Sequence, residues 1–127
     1  MVLFFSWFEK HNKISWLITI FGAVLIFYIS SLTFGVAIAG ISIFSILYHI
    51  LAFFCFAGFL LISSLKGKQN YFVFVLAVLF SVFYGALDEV HQIFVPGRVP
   101  DIFDVFLDFV GISLASLSYL IRLNWKK

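Results

Sequence analysis

Charge is what this chain has least of. Only 11% of its 127 residues are Asp, Glu, Lys or Arg, against about 25% in a soluble globular domain. An ordinary water-facing surface is excluded. The single cysteine, Cys55, excludes a disulfide framework or a cysteine-based metal knuckle. Set in an apolar run, it is expected to be a small core hydrophobe. The two prolines, Pro96 and Pro100, fall in one short segment, so helix breakers are missing elsewhere. A net charge of +2, thinly spread, gives no basis for a nucleic-acid partner, and none is expected. GxSxG, HExxH, CxxC and phosphate-cradling glycine loops are absent, and with them the best-known hydrolase, zinc-protease and nucleotide signatures.

What the chain has is apolar bulk: 64% hydrophobic residues, 19 of them Phe. The bilayer is the natural solvent for that composition. The first residues, MVLFFSWFEKHNK, put apolar groups before charges, the reverse of a signal peptide, and no small-residue cleavage site follows early. The first long apolar segment is therefore expected to remain, with residues 2–8 in the interface and Trp7 as an anchor.

A spanning helix needs roughly 20 apolar residues. Four segments qualify, about 14–34, 43–64, 71–94 and 102–123, and predict an all-α membrane protein, a four-transmembrane-helix bundle forming one domain over 1–127. KGKQN separates the second span from the third, and VPGRVP the third from the fourth. The first connector, GVAIAG, is weakly marked. Lys10 and Lys13, Lys66 and Lys68, then Arg122, Lys126 and Lys127 fall at one side of an even-numbered bundle. The positive-inside rule makes that side cytoplasmic, so a multi-pass protein of the cell membrane with both termini inside is expected.

Five of the six carboxylates lie between Tyr84 and Gly111, on the opposite side. Residues three, four and seven apart share a helical face. Ser81, Tyr84, Asp88, His91 and Gln92 follow that spacing on the third span, with Glu89 on the flank. Asp101, Asp104, Asp108, Gly111, Ala115 and Ser118 follow it on the fourth, where Gly111 and Ala115 form a groove for close helix approach. The short loop predicts that these two spans are antiparallel neighbours facing each other. At about 1.5 Å per residue, Asp88 and Asp108 lie roughly 10 Å below the outer boundary. His49 on the second span, and Ser30 and Ser31 on the first, reach the same layer.

An aspartate at the bilayer centre costs about 2.5–3.5 kcal/mol unless it finds a partner, water or a proton. Arg98 is the expected partner, since guanidinium grips a carboxylate through two hydrogen bonds. One arginine cannot neutralise five carboxylates. Asp101 fits equally well as a helix cap, and Asp104 fits a combined role. His91 suits the water interface as well as a site, and His49 could be a neutral histidine bonding a helix backbone.

The stretch ALDEVHQIFVPGRVPDIFDVFLDFVG resembles the signature of the VanZ-like family: DE-x-x-Q, a PGR turn, then D-x-x-x-N-x-x-G. The matching positions are Asp88, Glu89 and Gln92, then Pro96, Gly97 and Arg98, then Asp104 and Gly111. His49 and the serine pair Ser30 and Ser31 match as well. Asp108 stands where the family has asparagine, Ile46 where lysine often precedes the histidine, and Phe53 where an aromatic hydroxyl often follows it. The resemblance implies an integral membrane protein of the cell envelope, in a family named for a member conferring resistance to the glycopeptide teicoplanin.

Two uses of an outward-facing polar pocket follow, and a third without one. The first binds or processes the head group of an envelope lipid or lipid-linked glycan precursor. There Arg98 takes an anionic group, while Asp88, Glu89, Gln92 and Asp104 do the chemistry or hold hydroxyls. His49 or His91 moves a proton, and Asp108 and Tyr84 complete the pocket. Asp88, Glu89, Asp104 and Asp108 are candidate ligands for a divalent cation, Mg, Ca or Mn. The second use is an ion- or proton-coupled transport component, which the apolar inner halves of the spans disfavour. The third is a non-enzymatic accessory protein in which Arg98 latches the hairpin between the third and fourth spans.

Overall fold

The computed structural model describes residues 2–32 and 43–125; the GVAIAG connector, Lys126 and Lys127 lie outside them. Among the described residues every regular element is an α-helix: α1 (Val2–Lys10), α2 (Asn12–Ser30), α3 (Ile43–Leu65), α4 (Tyr71–Gln92) and α5 (Ile102–Asn124). The last four are long and apolar enough to cross a membrane. The four-span bundle expected from sequence is therefore present, with a short fifth helix in front of it.

α3 is the central helix, packed against all four others and most extensively against α5. Lipid is as apolar as leucine, so close backbone approach drives such packing more than burial does. Gly111 makes the approach possible. A Cβ there would sit 2.3 Å from the Ile50 carbonyl oxygen and 3.0 Å from the Phe54 nitrogen. One turn on, Ala115 faces Gly58. The small-residue groove of α5 thus receives α3, while α4 packs beside both. Around this seam the core is Phe53, Phe56, Leu60, Ile112 and Tyr119, with Ala77 of α4 and Ile26 of α2.

The helix ends follow local chemistry. The Asn70 side chain accepts from Val73 N at 3.1 Å and caps α4, and Asp101 accepts from Phe103 N at 2.9 Å and caps α5. α4 closes at Gln92 rather than 94, because Phe94 N bonds the His91 carbonyl in a tightened turn before Pro96. Gly97 then takes φ 81, a conformation that favours glycine.

One expectation is corrected and another extended. Cys55 is exposed on the outer face of α3 and is not a core residue. Residues 2–8 do more than lie in an interface: α1 docks on the bundle through Phe4 and Phe8 against Phe59, and Phe5 against Tyr119. Docking also delivers Glu9, whose Oε2 accepts from Arg122 Nη2 at 3.1 Å. Tyr119 Oη donates to Glu9 Oε1 at 3.3 Å and accepts from Gly67 N at 3.1 Å. This buried cluster ties α1, the α3–α4 turn and α5 together.

Candidate functional site

The opposite end of the bundle holds the remaining carboxylates. α4 turns Ser81, Gly85, Asp88, Glu89 and Gln92 inward and leaves Leu79, Phe83 and Val90 exposed. On α5, Asp108 is 1% exposed and Asp104 is half-buried. α3 contributes His49, 5% exposed, between them. His49 Nδ1 lies 2.8 Å from Asp108 Oδ1 and its Nε2 lies 3.4 Å from Asp104 Oδ2. One imidazole therefore bridges two carboxylates one turn apart on α5.

Glu89 closes the group from α4. Its Oε2 accepts from the Asp101 backbone N–H at 3.1 Å, and its Oε1 accepts from Gln92 Nε2 at 3.0 Å. Gln92 Nε2 also lies 3.4 Å from Asp88 Oδ2. Gln92 thus holds both acidic side chains of its own helix. His49, Glu89 and Asp108 each offer one ligand atom, and these three atoms lie within 4.8 Å of one another.

Other predicted site residues fall at the rim or apart. His91 hydrogen-bonds with Ser31 Oγ at 3.0 Å and its ring lies 4.3 Å from that of Phe27, so it faces α2. Tyr84 donates to the Ala23 carbonyl at 2.7 Å and ties α4 to α2. Asp101 is the α5 cap. Arg98 departs most from expectation. Its Nε donates to the Ser30 carbonyl at 3.4 Å, and among the described residues no carboxylate lies within ion-pair distance of it. It remains within electrostatic reach of Asp104 and Tyr48.

Among the described residues Tyr48 Oη and Asp108 Oδ2 at this end are buried without a hydrogen-bond partner, and Ser30 Oγ faces Asp88. Tyr48 escaped the sequence reading. It adjoins His49, but an aromatic in an apolar run gives no local sign of where its hydroxyl goes. Asp108 Oδ2 lies against Gly85, where a Cβ would approach it to 3.2 Å. Both residues line a cavity of about 260 Å³ between α4 and α5, whose other walls include Val82, Val105, Phe109 and Ile112.

Chemically, the end combines carboxylates, an imidazole and a guanidinium that pairs with no carboxylate among the described residues, with an apolar cleft beside Asp108. No curated protein and no solved structure matches the chain. The VanZ/LLP1 family model matches residues 1–123; with its four apolar helices, the chain is a VanZ-like membrane protein and belongs to that family.

Proposed function

We propose that this end of the bundle faces the outside of the cell membrane and binds the polar head of an envelope lipid or lipid-linked glycan precursor. The observation that carries the proposal is the pair of buried atoms Tyr48 Oη of α3 and Asp108 Oδ2 of α5, unpartnered among the described residues. Leaving a buried polar atom unsatisfied costs about 1–3 kcal/mol. A bound head group rich in hydroxyl or amine groups offsets that cost. Arg98, half-buried and free of carboxylates, supplies the complement for a phosphate or carboxylate on the same ligand. The apolar cleft continuing from Asp108 between α4 and α5 accepts the adjoining chain.

Transport is the weaker use. The layer between the two polar ends is dominated by Phe53, Phe56, Leu60, Ile112 and Ala115, and the buried Ser81 hydroxyl there donates to the Ala77 carbonyl. The orientation rests on Lys10, Lys13, Lys66, Lys68, Arg122, Lys126 and Lys127 of the sequence, because the positive-inside rule counts Lys and Arg and is not offset by Glu9. The test is mass spectrometry of protein purified in mild detergent. The proposal expects a stoichiometric anionic lipid on the parent and its loss from Arg98→Ala. A parent free of lipid, or equal retention by Arg98→Ala, overturns it.

A further inference from the structure

We propose that His49, through Nδ1, Glu89 and Asp108 hold one divalent transition-metal ion. The site is the same as that of the proposed lipid head, but the inference does not depend on what the lipid is.

The first support is geometric. The three side chains come from α3, α4 and α5, each is buried, and their ligand atoms come within 4.8 Å of one another. With bonds of about 2.0–2.2 Å, two ligands on one ion lie about 3–4.2 Å apart, so small rotamer adjustments close the site.

The second support is the other edge of the ring. Nε2 lies 3.4 Å from Asp104 Oδ2, so Asp104 is placed to accept from Nε2–H and orient the imidazole while Nδ1 is turned to Asp108 and the ion, the arrangement usual around metal-bound imidazole.

The third support is Asp108 Oδ2, buried and unpartnered. It is turned toward the face of α4 on which Glu89 lies one turn beyond Gly85. Asp108 thus keeps an oxygen without a partner that an ion held between it, His49 Nδ1 and Glu89 would engage.

The donor set also narrows the metal. Carboxylates alone suit Mg, Ca or Mn, and an imidazole nitrogen shifts the preference toward Mn²⁺ or Zn²⁺.

The test uses full-length protein carrying Cys55→Ser, so that no thiol competes, stripped with chelator in detergent. MnCl₂, ZnCl₂, MgCl₂ and CaCl₂ are titrated separately by calorimetry, with thermal unfolding alongside. The expected result is one Mn²⁺ or Zn²⁺ per chain, bound at least tenfold more tightly than Mg²⁺ or Ca²⁺, with a raised unfolding temperature. His49→Gln, Glu89→Gln and Asp108→Asn should each weaken binding at least tenfold. A variant that fails to fold is replaced by Asp104→Asn, and the stoichiometry of the parent stands independently. No saturable binding, or binding that all folded variants keep, overturns the inference. Lipid retained by metal-free protein that binds no metal refutes the ion alone; metal bound without any lipid refutes the head-group proposal alone.

Discussion

His49 on α3 and Asp108 on α5 meet through Nδ1 and Oδ1 at 2.8 Å, both almost fully buried, at the end of the seam where Gly111 brings the two backbones together. The contact joins the site to the packing, because the register that seats Gly111 against Ile50 also sets imidazole against carboxylate. Asp108→Asn keeps an acceptor oxygen for His49, so its thermal stability in detergent should stay within about 1 kcal/mol of the parent. Asp108→Leu strands the imidazole and should cost about 1–3 kcal/mol. Equal stability of the two variants would show that the hydrogen bond contributes nothing.

Gly111→Ala should damage the fold. Its added Cβ meets backbone at 2.3 Å, and backbone cannot rotate aside. Overpacking typically costs about 1–3 kcal/mol, and here α3 and α5 must separate. Gly22→Ala is the control, since a Cβ there meets nothing within 4 Å. Folded yield and unfolding temperature should fall for the first and hold for the second.

Breaking the Glu9–Arg122 pair should also be costly. Removing one member of a buried pair leaves the other uncompensated, about 3–5 kcal/mol. Glu9→Leu and Arg122→Leu should each destabilise strongly, and the double variant should recover part of the loss. Additive losses in this cycle, measured by thermal unfolding, would show that the two side chains do not interact.

Orientation is tested by labelling in intact cells, with Cys55 first replaced by Ser. Val99→Cys, at a position 77% exposed, should react with an impermeant thiol reagent. Lys68→Cys, in the exposed α3–α4 turn, should not. The reverse pattern would invert the bundle.

The four spans were legible because membrane thickness fixes their length, and charge is sparse in each: none in the second, and confined to the carboxylate stripe and Arg122 in the last two. The carboxylate stripe was legible because costly residues at intervals of three and four stand out against apolar surroundings. Other features had no local signature. In a membrane, core and lipid-facing positions are both apolar, so no periodicity told that Cys55 faces outward or that α3 occupies the centre. The Glu9–Arg122 contact joins residues 113 apart in sequence. Arg98 was expected on a carboxylate by charge alone, yet its Nε lies against the Ser30 carbonyl and its pairing capacity is left open. The departures Ile46 and Phe53 differ in consequence: Phe53 is fully buried against Phe56 and Tyr84, while the unpartnered hydroxyl beside His49 is that of Tyr48.

The central claim is that the acidic end is a ligand site and not a structural latch, and Arg98→Lys tests it most directly. Lysine keeps the charge but loses the planar fork. The measurement is the unfolding temperature of delipidated parent and variant, with and without added anionic lipid. Ligand at ten times its Kd stabilises the bound state by about 1.4 kcal/mol. The site account predicts equal unfolding temperatures without lipid and a lipid-induced rise in the parent that the variant loses. A variant that already unfolds earlier without lipid, and gains as much from lipid as the parent, would contradict it.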